Sequence, residues 1–257
     1  ITSSLKRKYN SVMTKGEKII AVSEFIKDHI QTNYQIASKK IKTIHRGVDL
    51  EYFSPEKIQT TKLQHYFQNW HIPEDKHIIL FPARFTDWKG HKTLIEALSL
   101  IKEKNFYCLM VGSDQGHENY VKSLTKQITE LNLSANISFH EHATDIINIY
   151  GLADIIVSAS TRPEAFGRTI VEAGALGKII IATNHGGARE TIIDGKTGFL
   201  VEQKDPKQLA EILEKILKFS KKKRSEISNK AQNHVRENFS IKKMQKETIS
   251  LYKKILK

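Results

Sequence analysis

The sequence predicts an α/β protein built on a doubly wound parallel sheet. From about residue 76 onward, short apolar runs alternate with amphipathic stretches. The runs are apolar on both faces, which is typical of strands that are covered by helices on both sides of a sheet. A chain of 257 residues is long enough to bury the core of one large or two small domains. Such a sheet binds ligands beyond the carboxyl ends of its strands.

Six apolar runs in this region are predicted strands. In chain order they are HIILFPA (77–83), FYCLMV (106–111), NISF (136–139), DIIVSA (154–159), KIIIAT (178–183) and GFLV (198–201). Between them, residues such as Leu94, Ile95, Leu98 and Ile101 recur at helical spacing, as they do in the stretch VKSLTKQITELN. Cys108, the only cysteine, lies inside the second run, so we expect it to be a core residue rather than part of a disulfide.

The residues before this region predict a separate, smaller unit. EKIIAVSEFIKDHIQTNY indicates a strand and a helix, and KIKTIHRGVDLEYFSP a short strand that runs into a turn at Gly47. Pro55 and a polar helix follow. We place a domain boundary near residue 52 and expect residues 1–52 to be the end of an amino-terminal domain that begins before Ile1, because the segment is too short to bury a core alone.

The chain end predicts a helix that needs a packing partner. Residues 53–239 would form the main domain, and Ser240 can cap a last helix over 240–257. One face of that helix is predicted to carry Ile241, Met244, Thr248, Leu251, Tyr252 and Ile255.

The formal charge of +13 favours an anionic binding partner. The base composition of the gene, which can favour lysine, explains the charge equally well. Much of the excess lies in KFSKKKRSEISNK (218–230) and KKMQKETISLYKKILK (242–257). A membrane surface or phosphorylated substrates would be suitable partners for this charge. No RNP-like, helix-turn-helix or zinc-finger pattern accompanies the lysines, so specific nucleic-acid binding is disfavoured. With neither an apolar run of about 18 residues nor a leader pattern, we expect a cytoplasmic protein, peripheral at most to a membrane.

Two loops after predicted strands carry residues suited to phosphate. Arg84 and Lys89 lie on a loop that ends where a helix begins near Lys92. A guanidinium, an ammonium and free helical N–H groups can together bind a diphosphate, although the two cations alone equally suit a solvated loop. Gly112 follows the next strand and is expected to let the chain turn close to a ligand. The surrounding loop lacks G-x-G-x-x-G, which disfavours a nicotinamide or flavin enzyme.

The loop and helix after DIIVSA place two glutamates at the same sheet edge. Glu164 lies in the loop STRPEAFGR, and Glu172 lies one turn into the helix TIVEAGALG, which should stop at Gly177. Carboxylates accept hydrogen bonds from paired hydroxyls, so a sugar and a ribose are suitable ligands. The peptide N–H groups of Phe166 to Thr169, with Gly167 and Arg168 between them, remain for phosphate.

Histidines in two loops have less specific interpretations. His185 precedes the glycine pair Gly186–Gly187 and is either a general base or a hydrogen-bonding residue. His140, Glu141 and His142 match no metal-binding helix pattern, and no D-x-D motif occurs. We therefore expect no metal and no other cofactor.

Four motifs in this order resemble the carboxyl-terminal domain of the retaining GT-B glycosyltransferases, family 4, also called group 1. The motifs are RGVD with a following Phe (46–53), ARFTDWKG (83–90), RPEAFGRTIVEAGALGK (162–178) and ATNHGGARETIIDGKTGFLV (182–201). The glutamates match the E-x7-E signature of the family, and RPEAFGR with HGGARET is most similar to bacterial lipopolysaccharide-core transferases. HRGVD stands in place of the commoner PNGVD, and FHEHA in place of Phe-x-Gly.

The resemblance implies a metal-independent, retaining transferase with two Rossmann-like domains and a last helix that crosses back onto the first. Arg84 and Lys89 would hold the diphosphate, Glu164 the transferred sugar, and Glu172 the ribose. Main-chain groups of Phe166, Gly167, Arg168 and Thr169 would surround sugar and phosphate. The donor would be a UDP- or GDP-sugar carrying a hexose-type sugar, and the acceptor a cell-envelope glycan. A non-catalytic nucleotide-sugar-binding module and a lysine-rich nucleic-acid binder remain the alternatives.

Overall fold

A computed structural model of the chain describes residues 4–141 and 144–256. Within these ranges the strands form two parallel sheets. In chain order they are β1 (Ile19–Ala21), β2 (Ile41–Thr43), β3 (His77–Pro82), β4 (Phe106–Val111), β5 (Ile137–His140), β6 (Ile155–Ser158), β7 (Ile179–Thr183) and β8 (Phe199–Val201). All six strands predicted after residue 76 are present, with each end within one residue of its predicted place.

The larger sheet has the order β5-β4-β3-β6-β7-β8. From β3 the chain adds β4 and β5 on one side, and then returns to place β6 on the other side of β3. The strand order therefore reverses between β3 and β6. Ligands in doubly wound sheets bind outside the carboxyl ends of the strands at such a reversal.

Helices alternate with these strands. Within the described ranges they are α1 (Ser4–Asn10), α2 (Glu24–Tyr34), α3 (Thr60–Asn69), α4 (His91–Leu100), α5 (Glu118–Glu130), α6 (Ile146–Leu152), α7 (Arg168–Ala175), α8 (Ala188–Thr191), α9 (Pro206–Leu217), α10 (Lys221–Asn238) and α11 (Ile241–Ile255). None of these helices has the length and apolar character needed to cross a membrane.

The sheet is buried on both faces, as its apolar strands predict. In β3, Ile79 and Phe81 belong to the core that contains α4, α5 and α9, whereas Ile78 and Leu80 belong to the core that contains α6 and α7. The alternation follows from the two-residue period of side chains in a strand. Cys108 is fully buried in the first of these cores, as predicted, and burial raises the pKa of its thiol.

The amino-terminal strands β1 and β2 pair with each other and have their own small core of Ile19, Ala21 and Ile41. The turn that follows joins the last helix: Val48 forms a parallel bridge with Ser240, and a Cβ on Gly47 would lie 2.3 Å from the Cα of Ile241. Glycine is therefore required where this turn meets the start of α11.

Ser240 caps α11 as predicted, because its hydroxyl accepts a hydrogen bond from the N–H of Lys243 at 3.3 Å. The predicted inner face of this helix is correct for Ile241, Met244, Thr248, Leu251 and Ile255, which are half-buried. It is wrong for Tyr252, whose side chain is 56% exposed. Tyr252 lies at the edge of that face, four residues after Thr248 and three before Ile255, and its side chain remains mostly uncovered there.

Candidate functional site

The loops after β3 and β6 meet at the point where the strand order reverses. The N–H of Thr161 donates to the carbonyl oxygen of Trp88 at 2.7 Å, which joins the two loops. Gly90 has a φ of +89°, and a Cβ there would lie 1.9 Å from the carbonyl oxygen of Ala159. Only glycine allows this contact and this backbone conformation together. The loops are thus held in one fixed arrangement.

Lys89 and Glu164 form an ion pair between these loops. The distance from Lys89 Nζ to Glu164 Oε1 is 2.8 Å, and the side chains are 17% and 23% exposed. The hydroxyl of Ser160 donates to the same carboxylate oxygen, and Lys89 Nζ also lies 4.3 Å from the ring centre of Trp88. The pair is therefore largely shielded from solvent, and Glu164 has a defined position although it lies in a loop.

Glu172 is held by the first turns of α7 and by the core. Arg168 donates to Glu172 Oε1 at 3.0 Å, and the hydroxyl of Tyr150 donates to Oε2 at 3.1 Å. Tyr150 is buried, and burial together with the charge of Glu172 raises the pKa of its hydroxyl well above the ordinary value. Tyr150 therefore remains a hydrogen-bond donor to the carboxylate throughout the neutral range.

A cleft of about 770 Å³ opens at this edge of the sheet. It is large enough for a small-molecule ligand of several rings. The predicted site residues that line it are Arg84, Lys89, Gly112, Arg168, Thr169 and Glu172. Arg84 reaches across to Gln115, with 3.2 Å between its Nη1 and Oε1 of the amide. Cations, a buried acid and the start of a helix thus face one space.

Three predicted residues do not line this cleft. Glu164 contacts it only through its ion pair with Lys89. The side chain of Phe166 is buried and packs 5.8 Å from the ring of Phe239 and 6.2 Å from that of His45, measured between centroids. Gly167 has a φ of +87° immediately before α7. Its left-handed backbone turns the chain into the helix, whose first N–H groups have no acceptor within it.

Gly112 serves a purpose that the sequence did not indicate. It lines the cleft, but a Cβ there would lie 2.0 Å from the carbonyl oxygen of Ala83. The constraint on this position therefore comes from the neighbouring loop of the chain itself. Gly112 lets the loops after β3 and β4 approach closely and so shapes the Arg84 side of the cleft.

The loop after β7 contacts the backbone of Glu164. Gly187 donates its N–H to the carbonyl oxygen of Glu164 at 2.9 Å. A Cβ on Gly186 would lie 2.4 Å from that same oxygen, and a Cβ on Gly187 would lie 2.4 Å from the Cα of Phe166. His185 places Nε2 2.7 Å from the carbonyl oxygen of Ser160, which is the hydrogen-bonding alternative of its two predicted roles.

Sequence reasoning missed Ser160, Tyr150 and the function of the glycine pair. A serine after a strand and a tyrosine in an apolar helix have common structural roles, so neither carries a signal by itself. The glycine pair did give a signal, but the sequence could not show which backbone it approaches.

His140, the last residue of β5, has structural contacts. His140 stacks on Trp70 with ring centroids 3.9 Å apart, its Nε2 lies 2.8 Å from Ser138 Oγ, and burial lowers its pKa to about 4. His142 lies outside the described residues. Within the described residues, His, Cys, Asp and Glu form no group of three that could hold a metal ion.

Comparison with known proteins assigns the chain to a family. The family model described as "Glycosyl transferases group 1" matches residues 64–234, more than half of the chain, and "Glycosyltransferase Family 4" matches residues 2–52. The capsular polysaccharide biosynthesis glycosyltransferase CapM of Staphylococcus aureus is 29% identical over 93% of this chain and 62% of its own length. The chain spans 65%, 62% and 43% of three such curated relatives.

Solved structures agree with this assignment. A glycosyltransferase from Rickettsia africae ESF-5 is 43% identical with a TM-score of 0.92, covering 100% of this chain and 68% of the other. HepE from Anabaena, solved in complex with UDP and glucose, is 25% identical with a TM-score of 0.89 over 98% of this chain and 68% of its own. These neighbours confirm the predicted α/β fold of the GT-B type. The chain belongs to the glycosyltransferases of group 1.

Proposed function

We propose that the protein is a retaining glycosyltransferase that takes a hexose-type sugar from a UDP- or GDP-sugar, and that residues 53–239 bind this donor. The observation that carries the proposal is the cleft where the strand order reverses. It gathers Arg84, Lys89 and Glu172, and Lys89 holds Glu164 at its border. HepE, which has the same fold, has been solved with UDP and with UDP-glucose.

The geometry suits the chemistry of an activated sugar. Breaking a glycosyl–phosphate bond develops negative charge on the diphosphate and positive character on the sugar. Arg84, Lys89 and the N–H groups at the start of α7 would stabilise the diphosphate, which makes a metal unnecessary for that purpose. Glu164 would accept hydrogen bonds from sugar hydroxyls, and Glu172 from the ribose.

The acceptor in this proposal is a cell-envelope glycan, such as a lipopolysaccharide core. Support comes from the name of CapM, which places that relative in capsular polysaccharide biosynthesis. The charge of +13 adds attraction to an anionic membrane leaflet, where such acceptors are anchored.

The proposed membrane contact depends on fewer cations than the lysine run suggests. In α10, Arg224 donates through Nη2 to the carbonyl oxygens of Ile216 at 2.9 Å and Leu217 at 3.3 Å, so it caps the end of α9. Lys223 pairs with Glu226 at 3.0 Å. Within this run of α10 we therefore assign the contact to Lys221 and Lys222. Replacing both with glutamine should reduce binding to phosphatidylglycerol vesicles at low salt, and unchanged binding would refute a contact through α10.

Calorimetry and turnover together test the donor proposal. UDP or GDP should bind to the purified protein, and UDP-glucose or a GDP-sugar should be hydrolysed slowly to the nucleoside diphosphate. Binding without any turnover, even with acceptor glycans, would favour the alternative of a non-catalytic nucleotide-sugar-binding module. Absence of binding to either nucleotide would refute both.

A further inference from the structure

A group of long-range hydrogen bonds fastens the Glu164 loop to the amino-terminal helix α2. Ser23 is fully buried, and its hydroxyl donates to the carbonyl oxygen of Ala165 at 2.6 Å. The same hydroxyl oxygen accepts the N–H of Ile26 at 3.1 Å and so caps α2. Ala165 lies between Glu164 and Phe166. One serine therefore joins the start of a helix to the residue that follows the predicted sugar-binding acid.

Glu190 makes the second half of this connection. Its two carboxylate oxygens accept the N–H groups of Glu24 and Phe25, each at 2.8 Å, and Nε2 of His45 lies 2.8 Å from Oε2. A carboxylate at a helix amino terminus satisfies free N–H groups and interacts favourably with the helix dipole. The Glu190 side chain is only 19% exposed, so solvent screens these contacts little.

The glycine pair links Glu190 to the Glu164 loop. Glu190 belongs to α8, which starts one residue after Gly187, and Gly187 donates its N–H to the carbonyl oxygen of Glu164. The backbone of Glu164 is thus bonded to the α8 side, and Ala165 to the α2 side. Glu190 bonds α8 to α2, so the two elements that contact the Glu164 loop are also joined to each other.

We propose that Glu190 is a positioning residue for Glu164, with Ser23 as its partner, and we call the two residues the α2 clasp. The inference rests on the proposed function, in which Glu164 contacts the transferred sugar. The clasp touches neither Arg84 nor Glu172, so we expect it to act mainly on the sugar side of the site. A displacement of about 1 Å at a reacting group costs on the order of 100-fold in rate.

Two clasp variants and one matched control test the proposal. Glu190→Gln keeps the size of the side chain but removes its charge and one of its two acceptors. Ser23→Ala is the milder second variant, in case the first disturbs folding. Glu51→Gln is the control. Like Glu190, Glu51 contacts a distant element, because its carboxylate pairs with Lys242 of α11 at 2.9 Å. Unlike Glu190, it does so at the surface, where both side chains are about 80% exposed.

Three measurements distinguish positioning from general loosening. We expect Glu190→Gln to lower kcat for UDP-glucose turnover by about tenfold, and Ser23→Ala by less, with the Kd of UDP within twofold of wild type. Because both residues act on one loop, the double variant should lose less than the product of the single losses. Hydrogen exchange of peptides covering residues 160–167 should be faster in both clasp variants. Glu51→Gln should match wild type throughout.

The outcomes separate this inference from the proposed function. Unchanged kcat and unchanged exchange in the 160–167 loop would overturn the clasp. An equal loss of UDP affinity and kcat would also overturn it, since it would show a general structural effect. If the wild type neither binds UDP nor turns over UDP-glucose, the proposed function fails, while the exchange measurement still decides whether Glu190 and Ser23 hold the loop.

Discussion

Glu164 and Glu172 lie on either side of Gly167, yet the structure holds them by different means. Glu172 is in α7, and its partners are Arg168 one turn earlier and Tyr150 of the core beneath. Glu164 is in a loop. Lys89 and Ser160 contact its carboxylate, and Gly187 donates its N–H to its carbonyl oxygen. Glu172 therefore depends on its own helix and on the neighbouring α6, whereas Glu164 depends, besides the nearby Ser160, on the loops after β3 and β7.

This difference has a functional consequence. An acid fixed by a helix and a buried hydroxyl suits the recognition of a part of the ligand that does not react. An acid fixed by contacts from several loops can be placed accurately near the reacting bond, but each of those contacts becomes a point where its position can be lost. We therefore expect substitutions around Glu164 to change transfer, and those around Glu172 to change nucleotide binding.

The largest effect should come from Glu164→Ala. Loss of a positioned acid near the charge that develops in the transition state should lower kcat for sugar transfer by on the order of 1,000-fold. The Kd of UDP should stay within about twofold, because UDP lacks the transferred sugar that this acid would contact. Steady-state kinetics and calorimetry measure the two quantities. Glu226→Ala, which removes an exposed lysine-paired glutamate of α10, should leave both unchanged. A transfer rate near that of wild type would contradict the assignment of Glu164.

Gly187→Ala should have the next largest effect. The new Cβ would lie 2.4 Å from the Cα of Phe166, so the Glu164 loop must shift, and we expect a loss of about 100-fold in kcat. Gly195→Ala is the control: its φ of +68° strains an alanine, but no heavy atom beyond the adjacent residues lies within 4 Å of the new Cβ. It should lower the free energy of unfolding by about 1 kcal/mol and leave kcat unchanged. Equal kinetics for the two variants would argue against the supporting role of Gly187.

Glu172→Ala should act on the other side of the comparison. Loss of the ribose contacts should raise the Kd of UDP by about tenfold, which corresponds to about 1.4 kcal/mol. With UDP-glucose at saturation, kcat should fall by much less than in Glu164→Ala. If both glutamate variants change affinity and kcat in the same proportion, the division of roles between the two acids is wrong.

The smallest effect should come from Tyr150→Phe. This change removes one hydrogen bond to the carboxylate of Glu172, worth about 1 kcal/mol, and should raise the Kd of UDP by about fivefold. Tyr252→Phe, at an exposed tyrosine of α11, should have no effect. An unchanged UDP affinity in Tyr150→Phe would show that Arg168 alone orients Glu172.

The sequence predicted the larger sheet well for a physical reason. A strand buried on both faces is a continuous apolar run, as in β6 and β7, and such runs have few other interpretations when turn residues bound them. The positions of Arg84, Lys89 and the two glutamates followed from the strands, because loops after parallel strands share one edge of the sheet. The prediction for Tyr252 was wrong because helical spacing places a residue at the edge of a face but does not show how far the packing partner extends over that edge.

The contacts that orient the site could not be predicted in the same way. Ser23 and Ala165 are 142 residues apart in sequence, and no local pattern links them. Arg224 stands in a run of cations that is typical of an exposed surface, yet its guanidinium caps α9. These contacts depend on how distant elements pack, which residue spacing alone does not specify.

A crystal structure of the protein with bound UDP-glucose would test the central claim most directly. We predict that the diphosphate lies within hydrogen-bonding distance of Arg84 and Lys89, the ribose hydroxyls at the carboxylate of Glu172, and the glucose hydroxyls at Glu164. A donor bound elsewhere, or bound in the cleft with these four side chains directed away from it, would contradict the account.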